Sequence, residues 1–135
     1  MKGALLVPNG ECKQVDVVAV DDDRTVCSFL RSLFEMQDWR AEVFERPSDA
    51  LAFLGAHTAA VLLTDINMPE MNGIELARIL HQRHPDLTLV AFTGSVDDPT
   101  VYCRHFTGVI RKPATVDQIL ETVEQALAHR DRPTA

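Results

Sequence analysis

The sequence is poor in basic residues and in cysteine, and both shortages limit what the protein can do. Thirteen lysines and arginines stand against 20 aspartates and glutamates, which gives a formal net charge of −7. A surface of that sign disfavours direct binding to nucleic acid or to an anionic membrane. The three cysteines are odd in number and show no metal-binding spacing, which argues against a disulfide framework or a zinc site. We therefore expect a reducing compartment and a cytoplasmic protein.

Long apolar runs are also missing. No stretch approaches the roughly 18–20 residues of a transmembrane helix. The apolar patch near the N-terminus is broken by the sequence PNG at 8–10, too early for a signal peptide. Hydrophobic residues nevertheless make up 46% of the chain, which is enough for a packed core. We predict one domain at 15–129, an N-terminal extension at 1–14 and a C-terminal tail at 130–135.

Strand-like and helix-like segments alternate along the chain. Predicted strands are apolar runs, and predicted helices repeat apolar residues every three or four positions. Strands are expected at 15–20, 41–45, 59–64, 87–93 and 108–111, and helices at 26–34, 48–54, 74–83 and after 115. Thr115 and Gln118 form a capping box for the last helix. The order predicts an α/β fold: a doubly wound, five-stranded parallel sheet of order 2-1-3-4-5 in a (βα)5 three-layer sandwich.

Polar side chains stand at the carboxyl ends of four predicted strands. Asp21 and Asp22 follow the first strand, Asp65 follows the third, Thr93 ends the fourth, and Lys112 follows the fifth. In this fold those ends form one edge, beside the point where the winding reverses. Three carboxylates there suit a hard divalent cation such as Mg²⁺. A carboxylate can also attack phosphorus, and the ammonium and hydroxyl groups could bind the phosphoryl oxygens.

Four stretches carry a more specific signal: VVAVDDD, VLLTDINMPEMNG, LVAFTGS and VIRKP. The run D-x-x-M-P-x-M-x-G, with an acidic pair before it and Lys-Pro after it, is specific in combination, although each piece alone is weak. With these motifs the chain resembles the receiver domains of two-component response regulators, over about residues 15–129. The resemblance implies a regulatory phosphoprotein of a phosphorelay. It would be no enzyme beyond catalysing its own phosphorylation and dephosphorylation.

The resemblance also implies roles for single residues. Asp65 is the expected phosphoacceptor, where an aspartyl phosphate would form. Asp21, Asp22, Asp65 and the backbone carbonyl of Asn67 are expected to bind Mg²⁺, and Lys112 is expected to contact a phosphoryl oxygen. The expected partners are a histidine kinase or a histidine phosphotransfer protein, and a protein target reached by direct contact. Neither nucleic acid nor a membrane is expected as a partner, and a homodimer is left open.

Residues around the acceptor are expected to report and time the modification. In the family that this chain resembles, the hydroxyl of Thr93 would move toward the phosphoryl group and so signal its arrival. Pro113 would follow Lys112 through a cis peptide, an isomer tolerated almost only before proline. Asn67 and Ser95 lie beside the acceptor and the threonine, so they are expected to influence the lifetime of the aspartyl phosphate.

Two features depart from the receiver pattern. The family usually has an aromatic residue or histidine three residues before the lysine, but this chain has Val109, which is too small and stiff to rotate inward. The segment between the fourth strand and Lys112 is a few residues short, which predicts a short or irregular fourth helix. We expect the signal to pass by rearrangement of residues 94–108, with Tyr102 or Phe106 as candidates to replace the aromatic.

Two other functions stay open on the sequence. The stretch VVAVDDDRT also fits the haloacid-dehalogenase phosphatase signature, with Asp21 as nucleophile, Asp23 as general acid and Thr25 orienting it. That class needs a further acidic pair on a later strand, whereas only a helix is predicted after Lys112. In the receiver interpretation Asp23 instead caps the first helix. The other alternative is a receiver-fold interaction module that accepts no phosphate.

Overall fold

The computed structural model describes residues 12–94 and 104–130, which form five strands and four helices in the predicted order. The strands are β1 (Gln14–Val20), β2 (Ala41–Phe44), β3 (Thr58–Thr64), β4 (Thr88–Thr93) and β5 (Phe106–Arg111). The helices are α1 (Arg24–Met36), α2 (Pro47–Ala56), α3 (Gly73–Arg83) and α4 (Val116–Arg130). The predicted short helix before β5, together with Ser95 and Tyr102, falls outside the described residues.

All five strands run parallel in the order β2-β1-β3-β4-β5, which confirms the doubly wound α/β fold. The winding reverses between the central strands β1 and β3. In the register of these strands Val20 pairs with Thr64. The N–H of Asp65 then donates to the carbonyl of Val20 at 2.9 Å, which extends the ladder by one step. The residues that follow the two central strands therefore start at the same level of the sheet.

Helices cover both faces of the sheet, and a separate hydrophobic core lies between each face and its pair of helices. Successive residues of β1 point to opposite faces, so Val18 joins the core under α2 and α3, whereas Val17 joins the core under α1 and α4. The largest apolar side chains of these cores, such as Leu62 and Phe34, are almost fully buried. No helix within residues 12–94 and 104–130 has the length and apolar character needed to cross a membrane.

Two predicted caps fix where α1 and α4 begin. The Asp23 carboxylate accepts the N–H groups of Thr25 at 2.8 Å and Val26 at 3.4 Å, at the N-cap of α1. At α4 the N–H of Thr115 donates to Gln118 Oε1 at 2.9 Å, and the N–H of Gln118 donates to Thr115 Oγ1 at 3.1 Å. Each set satisfies backbone donors that a helix leaves unpaired at its first turn. Both capping predictions are confirmed.

Candidate functional site

Three carboxylates meet beyond the ends of β1 and β3. Asp21 is completely buried, Asp65 is 7% exposed, and Asp22 is exposed to solvent. One carboxylate oxygen from each of the three lies within 4.8 Å of the other two. The parallel register of the central strands produces this approach, because it brings the ends of both strands to one level. The structure thus brings together the three acids that the sequence places at this edge.

Lys112 reaches the same edge from the end of β5. Its backbone N–H donates to the carbonyl of Thr93 at 2.9 Å, which continues the pairing of β4 with β5. Its Nζ lies 2.7 Å from Asp21 Oδ2, a hydrogen-bonded ion pair, and 3.6 Å from Asp65 Oδ2. The following peptide, Lys112–Pro113, is cis, as the resemblance implied. One ammonium group therefore faces both buried carboxylates and is bonded to the first.

The charges at this edge are only partly balanced. The pKa of Asp65 is raised, chiefly because burial penalises its charged form and next because Asp21 repels it, while Lys112 acts in the opposite direction. Burial also works against the charged form of Lys112, but its bond with Asp21 and the surrounding negative charge outweigh this and raise its pKa. Three carboxylates against one ammonium leave an oxygen-rich, negative pocket. That donor set fits a hard dication such as Mg²⁺.

Asp21 is held by hydrogen bonds on several sides. Its Oδ1 accepts the N–H of Asp23 at 2.9 Å, and its own N–H donates to the carbonyl of Phe44 at 3.1 Å. The buried thiol of Cys27 donates to the Asp21 carbonyl at 3.0 Å. Burial, followed by the charge of Asp21, raises the pKa of that thiol, so it stays protonated and serves as a donor. The carboxylate is thus fixed in the orientation in which Oδ2 meets the lysine.

The loop after Asp65 folds back so that α3 begins against the backbone of Asp65. The N–H of Gly73 donates to the carbonyl of Ile66 at 2.8 Å. A Cβ atom at Gly73 would overlap the carbonyl oxygen of Asp65 and lie 3.0 Å from Ile66 Cα. Asn72 caps α3, because its Oδ1 accepts the N–H of Glu75 at 2.9 Å. This close approach explains why the position holds glycine, which has no Cβ.

Two contacts near the site do not follow from any motif in the sequence. The first joins the loop after Asp65 to α2: Glu70 accepts the N–H of Ser48 at 2.9 Å and pairs with Arg46 at 2.9 Å. Arg46 is the N-cap of α2 and makes no side-chain cap bond, so Glu70 caps that helix from the neighbouring loop.

The second contact places the ammonium of Lys112 over the ring of Phe92, 4.9 Å from its centroid. Only the register of β4 with β5 could have indicated this contact.

The other predicted site residues lie as follows. Thr93 is fully buried at the end of β4, and Asn67 is exposed in the loop after Asp65. Val109 is half-buried in β5 and packs against the core under α2 and α3. Phe106 is 5% exposed and lies in the same core at the start of β5, at the end of the strand remote from Lys112. Phe106 is therefore a core residue, and its suggested part as a replacement for the aromatic stays a prediction.

Comparisons with known proteins identify the family of this chain. Residues 17–124 match the family model described as the response regulator receiver domain. The chain is 31% identical over 117 residues to the DNA-binding transcriptional regulator NtrC of Proteus hauseri, covering 84% of this chain and 25% of that protein. The chain thus spans about a quarter of the length of such curated relatives.

Solved structures give the same result. The apo receiver domain of nitrogen regulatory protein C is 32% identical, with a TM-score of 0.77, covering 87% of this chain and 98% of that one. A CheY-like receiver domain protein from Methanospirillum hungatei JF-1 has a TM-score of 0.82 at 22% identity, covering 90% of this chain and 98% of that one, and this likeness shows the fold. The chain therefore belongs to the receiver domains of two-component response regulators.

Proposed function

We propose that this domain accepts a phosphoryl group on Asp65 from a phosphohistidine of a histidine kinase or phosphotransfer protein. The observation that carries the proposal is the position of one oxygen. Asp65 Oδ1 accepts the N–H of Ile66 at 2.8 Å, whereas Oδ2 faces the ammonium of Lys112 at 3.6 Å. Oδ2 would therefore be the attacking atom, next to a cation that can receive the incoming negative charge.

The transfer needs little covalent chemistry from the protein. Oδ2 of Asp65 bonds to phosphorus while the P–N bond to the donor histidine breaks, and the imidazole leaves with the bonding pair and takes up a proton. Lys112 would then bind a phosphoryl oxygen, and the hydroxyl of Thr93 would bind another. In dephosphorylation, water attacks phosphorus, the P–O bond to Asp65 breaks, and inorganic phosphate leaves. Positioning and charge neutralisation account for most of such catalysis.

The acidic cluster would hold Mg²⁺ through Asp21, Asp22 and Asp65, with the backbone carbonyl of Asn67 as a further ligand. Support comes from the donor set: carboxylate oxygens within 4.8 Å of one another, in a pocket with a surplus of negative charge. When bound, Mg²⁺ supplies positive charge that offsets both the carboxylates and the phosphoryl oxygens. The hydrogen bonds that Asp21 accepts from the Asp23 N–H and the Cys27 thiol would hold this proposed ligand in place before an ion binds.

Output is proposed to pass through protein contact and through rearrangement of residues 94–108. Val109 supports this, because it packs against the core and has no long side chain to turn. Asn67 and Ser95 are proposed to set the lifetime of the aspartyl phosphate, and residues 15–129 are proposed as the functional unit. Structures of the free and beryllofluoride-bound domain test the output route, and an unmoved 94–108 segment would refute it.

Mass spectrometry of the intact protein tests the proposed acceptor. The wild type, incubated with acetyl phosphate and MgCl₂, should gain the mass of one phosphoryl group, and Asp65→Asn should gain none. Asp86→Asn is a matched control, because it removes an exposed acid before β4, at the opposite edge of the sheet. It should be labelled like the wild type. Full labelling of Asp65→Asn would refute the assignment.

The phosphatase alternative predicts the phosphoryl group on Asp21 instead. One contact disfavours it: the carboxylate of Asp23, the supposed general acid, is engaged in capping α1. Loss of labelling in Asp21→Asn with retained labelling in Asp65→Asn would favour the phosphatase. An interaction module without phosphorylation would show neither labelling nor Mg²⁺ binding, and calorimetric titration with MgCl₂ separates that case.

A further inference from the structure

We propose that Phe92 is a positioning residue for Lys112, whose ring keeps the ammonium between the two buried carboxylates and so raises the rate at which Asp65 is phosphorylated. The proposal has two components. The rate component, that the ring speeds the phosphorylation of Asp65, rests on the proposed function of Asp65. The geometric component, that the ring holds the ammonium at this edge, stands on the contacts of the described residues alone.

The register of the sheet puts the ring and the lysine on the same face. Phe92 pairs with Ile110 in the parallel ladder of β4 and β5, and both belong to the core under α1 and α4. Lys112 is two residues beyond Ile110, so strand alternation points it to the same face. Its backbone bond to Thr93 keeps this alternation as β5 ends. The cation above Phe92 is thus a consequence of sheet geometry.

The ammonium has three kinds of neighbour at its position. Asp21 Oδ2 binds it at 2.7 Å, Asp65 Oδ2 attracts it from 3.6 Å, and the ring centroid of Phe92 lies 4.9 Å away. That distance lies within the range in which an aromatic face attracts a cation. The lysine side chain is still 25% exposed, so a path into solvent is open to it. The ring opposes that movement, since it occupies one side of the ammonium with a surface that attracts it.

An aromatic ring suits this task better than a further acid would. It carries no formal charge, so it neither competes for a cation nor repels an incoming phosphoryl group. Its attraction is broad in direction, whereas the bond to Asp21 is directional. The ammonium has three N–H donors, so it can turn one of them to a phosphoryl oxygen while the ring stays beside it. Leucine at Phe92 would fill much of the same volume but would lack the electron-rich face.

Packing alone is the competing explanation, because Phe92 is 5% exposed and belongs to a core. Fluorinated phenylalanines separate the two explanations. Replacing Phe92 by 4-fluoro, 3,5-difluoro and 3,4,5-trifluoro derivatives withdraws electron density from the ring face with little change of shape. The rate of Asp65 labelling by acetyl phosphate should fall with each added fluorine, and the trifluoro ring should lower it about fivefold relative to the wild type. A flat series would overturn the rate component.

The same series at Phe34 is the matched control. Phe34 is an almost fully buried ring in the same core, and it packs against Trp39 at a centroid distance of 5.8 Å. Its fluorination should leave the rate unchanged. A double-mutant cycle gives an independent check: Phe92→Leu should slow labelling in the wild type but have no effect in a Lys112→Met background. Equal slowing in both backgrounds would show that Phe92 acts through packing, and would overturn the proposal.

A spectroscopic measurement decides the geometric component without any phosphorylation. The Hε protons of Lys112 should show an upfield ring-current shift that disappears in Phe92→Leu, measured by NMR on the folded domain at a temperature where both proteins are native. A shift that is absent from the wild type would overturn the proposal. A wild type that takes up no phosphoryl group would instead refute the proposed function, and the ring-current shift would still decide whether Phe92 holds the lysine.

Discussion

Replacing Gly73 by alanine should displace the backbone of the phosphoacceptor candidate and destabilise the domain. The new Cβ would overlap the carbonyl oxygen of Asp65 and lie 3.0 Å from its carbonyl carbon. These neighbours are backbone atoms next to a central strand, so they cannot move aside as the end of a flexible side chain can. The bond from the Gly73 N–H to Ile66, 2.8 Å long, would be strained as α3 shifts away.

The expected size of the effect follows from three contributions. Overpacking of a tight contact costs about 1–3 kcal/mol. Strain or loss of one backbone hydrogen bond adds about 0.5–1.5 kcal/mol. The higher helix propensity of alanine offsets about 0.5–1 kcal/mol of this loss of stability. The free energy of unfolding should therefore fall by about 2 kcal/mol, which for a domain of this size lowers Tm by about 6–10 °C.

Thermal and urea unfolding of matched variants would measure this. Gly55→Ala is the control, since it makes the same chemical change within α2, where no atom outside the neighbouring backbone of the helix lies within 4 Å of the new Cβ. That variant should be unchanged or more stable by up to about 1 kcal/mol. The Gly73 variant should also take up less phosphoryl group from acetyl phosphate. If Gly73→Ala matched the wild type in Tm and labelling, the inferred contact with Asp65 would be wrong.

Three further predictions concern charge and capping. Because the folded-state pKa of Asp65 is raised above its unfolded value of about 3.9, the folded state keeps that proton longer as pH rises. In EDTA, the stability of the wild type relative to Asp65→Asn should therefore decline from about pH 4 upward through the folded pKa of Asp65, and a constant difference would contradict this. Glu70→Ala should speed amide hydrogen exchange at Ser48 but not in α3; equal acceleration in both helices would refute a specific cap. Thr115→Val should cost about 1 kcal/mol through the loss of the capping box, and Gln118→Ala in that background should add little.

Much of the fold was predictable because local signals and the global topology agree. Alternation of apolar runs with helical periodicity gives the parallel sheet, and the caps at Asp23 and Thr115 follow from residue type and spacing. The gathering of Asp21, Asp65 and Lys112 was predictable for a physical reason. In a doubly wound parallel sheet the carboxyl ends of the strands share one edge, so the strand assignment alone locates the residue that follows each strand at that edge.

Features that depend on tertiary contacts were not predictable in the same way. The strand β5 begins at Phe106, earlier than expected, because Gly108 interrupts the apolar pattern and the ladder shifts register between Leu89 and Val90. Glu70 caps a helix that precedes it in the chain, so no spacing rule joins them. Such contacts depend on how separate loops meet, which strand and helix periodicity does not encode.

Asp21 and Asp65 directly follow two adjacent central strands, and this position determines which parts of the domain can vary without affecting the site. Their spacing is set by the main-chain ladder between β1 and β3, down to the bond from Asp65 to Val20. Loops and helices that do not touch Asp65, unlike the start of α3 at Gly73, can therefore change in length and composition without altering the distance between the acids.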